Sequence, residues 1–238
     1  MTEKTTDEST APKNVLKMHE VAARKLGSKA GRIRRFSLTL RKGEVAMIHR
    51  PARQQRSLLV DTVLGFVQPR HGWVSFLDSE WQSVTYRKQL AMRSNIGRIF
   101  EEGGWISNLS MPDNLKLMKR HHTTDPDSTT EEQLQRLAKQ FKIEIPQSRI
   151  SFISSSELRV CQWIRALAMK PKLLIAESPL REVPDELHHV FCEAEYEHRK
   201  SGGATIWITT NPFIWQRDLK GNSHRHKIDA DRLRSISK

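Results

Sequence analysis

The chain has 238 residues, of which 37% are hydrophobic and 28% charged, a balance that suits one soluble globular domain with room for a subdomain. Its formal net charge of +13 is spread along the sequence with no nucleic-acid recognition motif beside it, so a solvated basic surface explains the charge as well as a partner does. No apolar run approaches the ~20 residues that span a bilayer, and the longest, Leu58 to Val67, carries Asp61. The N-terminus, MTEKTTDESTAPK, has no apolar h-region, so no secretory signal is expected. Cys161 and Cys192 each lie in a helix-like segment, where free buried thiols of a reducing compartment are expected rather than a disulfide.

Residues 1–14 are polar and without periodicity, and are expected to form a disordered tail. Val15 to Val21 is a candidate edge strand. The run FSLTLRKGEVAMIH then alternates apolar and polar residues before turning continuously apolar. That pattern predicts a strand, a turn at Lys42-Gly43 and a buried strand over Val45 to Ile48. The next residues, Arg50-Pro51-Ala52-Arg53-Gln54-Gln55-Arg56-Ser57, lead into a helix over Ser57 to Phe66. A further strand is expected within Gln68 to Leu77, and another buried one over Ile96 to Phe100.

From Glu101 to Ser154 the sequence reads as helical. Met111 to Lys119 is one helix, His121 to Ser128 a polar loop, and Thr130 with Gln133 a capping-box start for the next. That second helix buries Leu134, Leu137, Ala138 and Phe141. The Ser154-Ser155-Ser156 turn opens a helix with Leu158, Cys161, Ile164, Leu167 and Ala168 on its apolar face. Pro171 ends it, and Leu173-Leu174-Ile175-Ala176 predicts a fully buried strand that delivers Glu177 and Ser178 to its carboxyl end. Ligands of open α/β sheets usually sit at that end. Asp185 to Lys200 is an amphipathic helix and Thr205 to Thr209 a last buried strand. Residues 219–238 read as a basic tail, and the part after Gly221 shows no periodicity.

The run from Ile153 to Pro179 resembles the signature-to-Walker-B region of an ABC-type ATPase domain. The frame is present in Ser154, Arg165-Ala166-Leu167, Pro171-Lys172, the aliphatic strand and Pro179. Phe36, Ser37, Leu38, Leu40, Gly43 and Glu44 match the family's entry to its phosphate loop, and Pro69, Gly72, Val74 and Phe76 a later strand. The stretch Gly103 to Leu109, continuing to Asn114, is similar to a run in ATPases of MCE-type lipid-transport importers. The resemblance covers about residues 15–217. It implies a P-loop NTPase-like α/β fold over 15–218, with a helical subdomain at about 102–160.

The reacting groups of that family are replaced. A phosphate loop needs G-x-x-x-x-G-K-[ST], so that backbone N–H groups reach the phosphates and a Lys reaches their far end. Here Arg50, Arg53 and Gln55 stand at the glycines and Arg56 at the Lys, while Ser57 keeps the hydroxyl. A planar guanidinium is not equivalent to a compact ammonium. Glu101 stands at the Q-loop Gln, Glu177 at the Walker-B Asp, Ser178 at the catalytic Glu and Asn211 at the switch His. Ser155 and Ser156 replace the signature glycines, and the adenine-stacking aromatic near Lys25 is missing.

The resemblance therefore implies a non-catalytic or very weakly active subunit, cytoplasmic and peripheral on the inner face of a membrane. It would dock on a permease or a second ABC ATPase subunit, as part of a dimer. Arg50, Arg53, Arg56, Ser57, Glu101, Ser154 and Glu177 are the nucleotide-binding remnant, with Trp105 and Ile106 as the permease contact. No resident cofactor and no metal are expected; weak ATP and Mg²⁺ binding through the arginines is the alternative. An active ATPase with an unusual site and a basic module for nucleic acid or anionic lipid are the competing readings. No specific nucleic acid is expected, and the histidine pairs His121-His122 and His188-His189 lack partners at metal spacing.

Overall fold

The computed structural model describes residues 14–24, 32–50, 58–122, 126–229 and 232–236. Strands β1 (Leu16–Arg24), β2 (Arg32–Leu40), β4 (His71–Phe76) and β5 (Ser79–Glu80) form an antiparallel sheet in the order β2-β1-β4-β5. Strands β3 (Val45–His49), β6 (Ile96–Ile99), β7 (Leu173–Glu177), β8 (Ala204–Thr209), β9 (Ser223–Asp229) and β10 (Arg232–Ile236) form the second, in the order β10-β9-β3-β8-β7-β6. From β9 to β6 every pair in this sheet is parallel, and β10 closes its other end antiparallel. The helices are α1 (Leu58–Val63), α2 (Tyr86–Arg93), α3 (Met111–His122), α4 (Asp127–Gln140), α5 (Ser155–Ala168), α6 (Asp185–Lys200) and α7 (Pro212–Gln216).

The continuous apolar runs arise because the parallel strands are covered on both faces, and successive residues serve alternate cores. Val45 and Met47 of β3, with Leu174 and Ala176 of β7, join a core built by α3 to α6. There Phe191 packs between Trp163 and Trp207, at ring separations of 4.8 and 5.2 Å. Ala46 and Ile48, with Leu173 and Ile175, face the other way, onto the antiparallel sheet and α1. Every residue of β7 is buried, as its run of aliphatics predicts.

Helix α5 follows its sequence signals closely. Ser154 is the N-cap, its hydroxyl accepting from the Glu157 N–H while the Glu157 carboxylate accepts from the Ser154 N–H at 3.1 Å. Two of the free N–H donors of that terminus are thus satisfied. Asp185–Lys200 forms α6 with the predicted bounds.

Elsewhere the structure corrects the expectations. The strand predicted at the edge over Val15 to Val21 is β1, paired on both sides by β2 and β4. Its alternation of buried and exposed residues reports one covered face and is silent on its neighbours. The capping box at Thr130 and Gln133 is not used: α4 starts at Asp127 behind Pro126, whose fixed φ suits a helix entrance. Thr130 is buried inside the helix, and the Gln133 amide donates to the Ala168 carbonyl at 2.5 Å. The segment after Gly221 forms β9 and β10; β9 adds to the open side of β3, so its place is set by that edge and not by its own apolar pattern.

Candidate functional site

The parallel strands bring their ends to one edge. β3 leads to Arg50, β6 to Glu101, β7 ends in Glu177 followed by Ser178, and β8 leads to Asn211. The first turns of α5 reach the same edge, since Arg159 donates to the carbonyl oxygens of Phe100 and Glu101, the latter at 2.7 Å. Residues from four strands and a helix therefore converge where a ligand of such a sheet would lie.

The polar groups there are paired with one another. Arg50 Nη2 donates to Glu101 Oε2 at 2.7 Å, with both side chains buried. Arg181 stands 3.8 Å from the other Glu101 oxygen and 3.4 Å from Glu102. Arg98, projecting from β6, donates through Nε to Glu177 Oε1 at 2.7 Å and lies over the Phe100 ring. Burial pushes the Glu177 carboxyl above its ordinary range, and Arg98 only partly offsets this. Burial likewise lowers Arg159, with nearby Arg181 acting in the same direction.

The remaining positions serve the backbone. The Ser154 hydroxyl and the Asn211 side-chain amide oxygen are helix caps, the latter accepting from the N–H groups of Phe213 and Ile214 at 2.9 and 3.4 Å. Ser178 is buried, holds a φ of 45° and donates its N–H to the Ile208 carbonyl at 2.7 Å. A cavity of about 120 Å³ opens beside it, lined by Ser178, Arg181, His188, Trp207, Thr209 and Asn211.

A magnesium–nucleotide complex needs carboxylate or amide oxygens turned toward the cation. Here Glu177 and Glu101 turn toward arginines instead, which also repel a divalent cation, so the described residues of this edge do not fit that group. Among the described residues, no three His, Cys, Asp or Glu side chains are placed to hold a metal ion. Arg53, Arg56 and Ser57 lie outside the described residues.

Beside this edge, Gly103 to Leu109 leads into α3. Trp105 is half-buried against the helical core, with the Arg165 guanidinium 4.1 Å over its ring. Burial pushes Arg165 down to about 10, and it donates to the Gly104 carbonyl. Ile106 is exposed, its backbone held at both N–H and carbonyl by the Asn114 amide. A groove of about 220 Å³ runs past Arg98, Phe100, Ile106, Leu117, Arg165 and Met169. Sequence reasoning missed Arg98, Arg159 and Arg181. A lone arginine inside the apolar run of β6 was the one local signal, because such a residue needs a buried partner.

Comparison with known proteins places these observations in a family. The family profile described as ABC transporter matches residues 33–181. A putative ABC transporter ATP-binding protein of Mycoplasma pneumoniae is 25% identical over 182 residues, 74% of this chain and 61% of that protein. The intermembrane phospholipid transport system ATP-binding protein MlaF of Escherichia coli K12 is 22% identical over 148 residues, 60% of this chain and 54% of MlaF. The tungstate uptake system ATP-binding protein TupC of Peptoclostridium acidaminophilum is 22% identical over 186 residues, covering 78% of this chain and 83% of TupC. The matched region thus spans little more than half the length of two of these relatives. In fold, the solved dimeric structure of a bacterial ABC transporter cassette superposes with a TM-score of 0.79 at 16% identity, over 93% of this chain and 97% of that one. The fold is the P-loop ABC ATPase fold, and the chain belongs to the ABC transporter family as an ATP-binding-type domain.

Proposed function

We propose that this protein is a non-catalytic ABC-type subunit, peripheral on the inner face of a membrane, that docks on a permease or pairs with a partner ATPase of a transport system. One observation carries the reading: the carboxylates at the family's cation positions, Glu101 and Glu177, are held 2.7 Å from Arg50 and Arg98. The chemistry agrees with it. A general base typically contributes about 10²–10⁴-fold, and neither the Ser178 hydroxyl nor the Asn211 amide takes a proton at neutral pH. Ser154 and Asn211 are already engaged as caps. The permease-facing surface in this reading is the groove beside Ile106 and Leu117, with Trp105 stacked under Arg165, which lines it.

Titration with Mg-ATP at physiological salt, with turnover measured on the same preparation, tests it. The expected result is no saturable binding at micromolar nucleotide and turnover at background. Micromolar binding that requires Mg²⁺ and is lost in Arg56→Ala, or turnover that Ser178→Ala abolishes, overturns the reading.

A further inference from the structure

Helix α2, YRKQLAMR, lies away from the site described above and takes little part in either core. Met92 is its one buried residue. It carries Arg87, Lys88 and Arg93 and no acidic residue. Arg87 and Lys88 are exposed, with no carboxylate partner among the described residues. Tyr86 and Leu90, four residues apart, share one stripe of the helix and are 71% and 40% exposed. Arg93 extends that stripe toward the turn after α1, where it donates to the Leu64 and Gly65 carbonyls. Its guanidinium lies 4.5 Å over the ring of Phe66, which is 61% exposed. Phe66, Arg93, Leu90 and Tyr86 thus form one aromatic and aliphatic ridge with basic side chains beside it.

We propose that this ridge is a docking surface for an anionic lipid bilayer, with Phe66, Tyr86 and Leu90 seated at the headgroup boundary and Arg87 and Lys88 on lipid phosphates. Several observations favour lipid over other occupants. Basic flanks around exposed aromatic and aliphatic tips are the composition of interfacial helices. A protruding leucine beside a phenylalanine gains from an acyl boundary, whereas a nucleic acid would use the aromatic faces and leave Leu90 in water. The basic residues of α2 match the sign of the charge on such a leaflet, and the net charge of +13 adds attraction at long range. The surface needs neither nucleotide nor permease, so it goes beyond the function proposed above and stands or falls separately from it.

Sedimentation of the purified full chain with two kinds of vesicle tests the proposal: phosphatidylcholine alone, and phosphatidylcholine with one third phosphatidylglycerol. Binding to the anionic vesicles alone, weakened by added salt, is expected. The double variant Arg87→Glu, Lys88→Glu should lose about tenfold or more in affinity. Tyr86→Ser with Leu90→Ser should lose severalfold while keeping the salt dependence. Arg136→Glu with Lys139→Glu on α4 makes the same charge change elsewhere and should lose far less. All these positions are exposed, so unchanged thermal unfolding serves as the folding check. Equal loss in the α2 and α4 double variants would show that net charge alone is read and would overturn the proposal. So would no vesicle binding, or anionic-vesicle binding that competing single-stranded DNA fully displaces from the Tyr86, Leu90 variant and the unmodified chain alike.

Discussion

At the scale of single residues, the two ion pairs of the sheet edge respond asymmetrically to substitution. Glu177 is buried and its carboxyl is raised, burial acting first and Arg98 opposing it. A raised carboxyl means that the folded state holds its proton more tightly, so this group favours the fold at low pH and opposes it above its folded pKa. Glu177→Gln removes that opposition and keeps the shape, and is expected to change stability by less than about 1 kcal/mol at neutral pH. Arg98→Ala instead strands the buried carboxylate. Removing one partner of a buried pair costs about 3–5 kcal/mol, and the partial exposure of Arg98 brings the expectation to about 2–3. Denaturant midpoints of the two variants decide the point, and a larger loss from Glu177→Gln than from Arg98→Ala would contradict it. The same pair limits rescue of activity. Ser178→Glu restores the family's residue but leaves Glu177 on Arg98 and Glu101 on Arg50, so Mg-ATP turnover is expected to stay at background.

At the scale of elements, what could be read in the sequence was what local chemistry decides. β7 is legible because a four-residue aliphatic run followed by Glu177 has few other places to go, and α5 because Ser154 and Glu157 cap it whatever surrounds them. What escaped depends on partners. β1 looks the same at an edge or between two strands, and β9, SHRHKID, has no apolar run to announce it. The arginine pairs escaped too, because Arg50 and Glu101, or Arg98 and Glu177, are far apart in sequence and meet only when β3, β6 and β7 align. Burial of β9 has a titratable consequence. His226 pairs in register with Ile48 and is buried, and that burial, with His224 adding to it, lowers its pKa to about 4. An unfolded histidine titrates near 6.5, so between those values the unfolded chain binds the proton that the folded one refuses. Stability that His226 leaves intact at neutral pH is therefore lost as pH falls from about 6.5 to about 4, by an amount on the order of 2–3 kcal/mol. His226→Phe removes the titration. The variant should lose less stability than the unmodified chain between neutral pH and about pH 5, measured by denaturant unfolding. Equal losses would mean that β9 is not held against β3 with a neutral histidine.

At the scale of the whole molecule, buried and half-buried arginines tie the helical layer to the strand layer. Arg159 on α5 holds the carbonyls that follow β6, and Arg181 after β7 approaches Glu101 and Glu102. On the far side, buried Arg199 pairs with Glu195 at 2.7 Å and donates to the Gly43 and Lys220 carbonyls, joining α6 to the turn before β3 and to the approach to β9. A subunit braced in this way presents a preformed groove beside α3, and preformed surfaces bind with little ordering cost. Ile106 and Leu117 are the exposed apolar residues on that groove, at 43% and 39%. If a permease segment seats there, a charge in its apolar floor would be desolvated on docking, and interface anchors of this kind commonly carry about 2 kcal/mol or more. Ile106→Glu and Leu117→Glu are each expected to weaken binding to the detergent-solubilised permease complex by at least about tenfold, with thermal unfolding unchanged because both side chains already face water. Trp105→Ala separates docking from packing. Trp105 is packed against the core and capped by Arg165, so its truncation should lower the unfolding temperature first and reduce membrane association only as the fold is lost. Co-fractionation and unfolding measured together on the three variants give the answer. Retention of both glutamate variants on the detergent-solubilised permease complex, where α2 has no bilayer to hold it, would rule out the groove, and a folded Trp105→Ala protein that no longer associates would move the contact onto the indole itself.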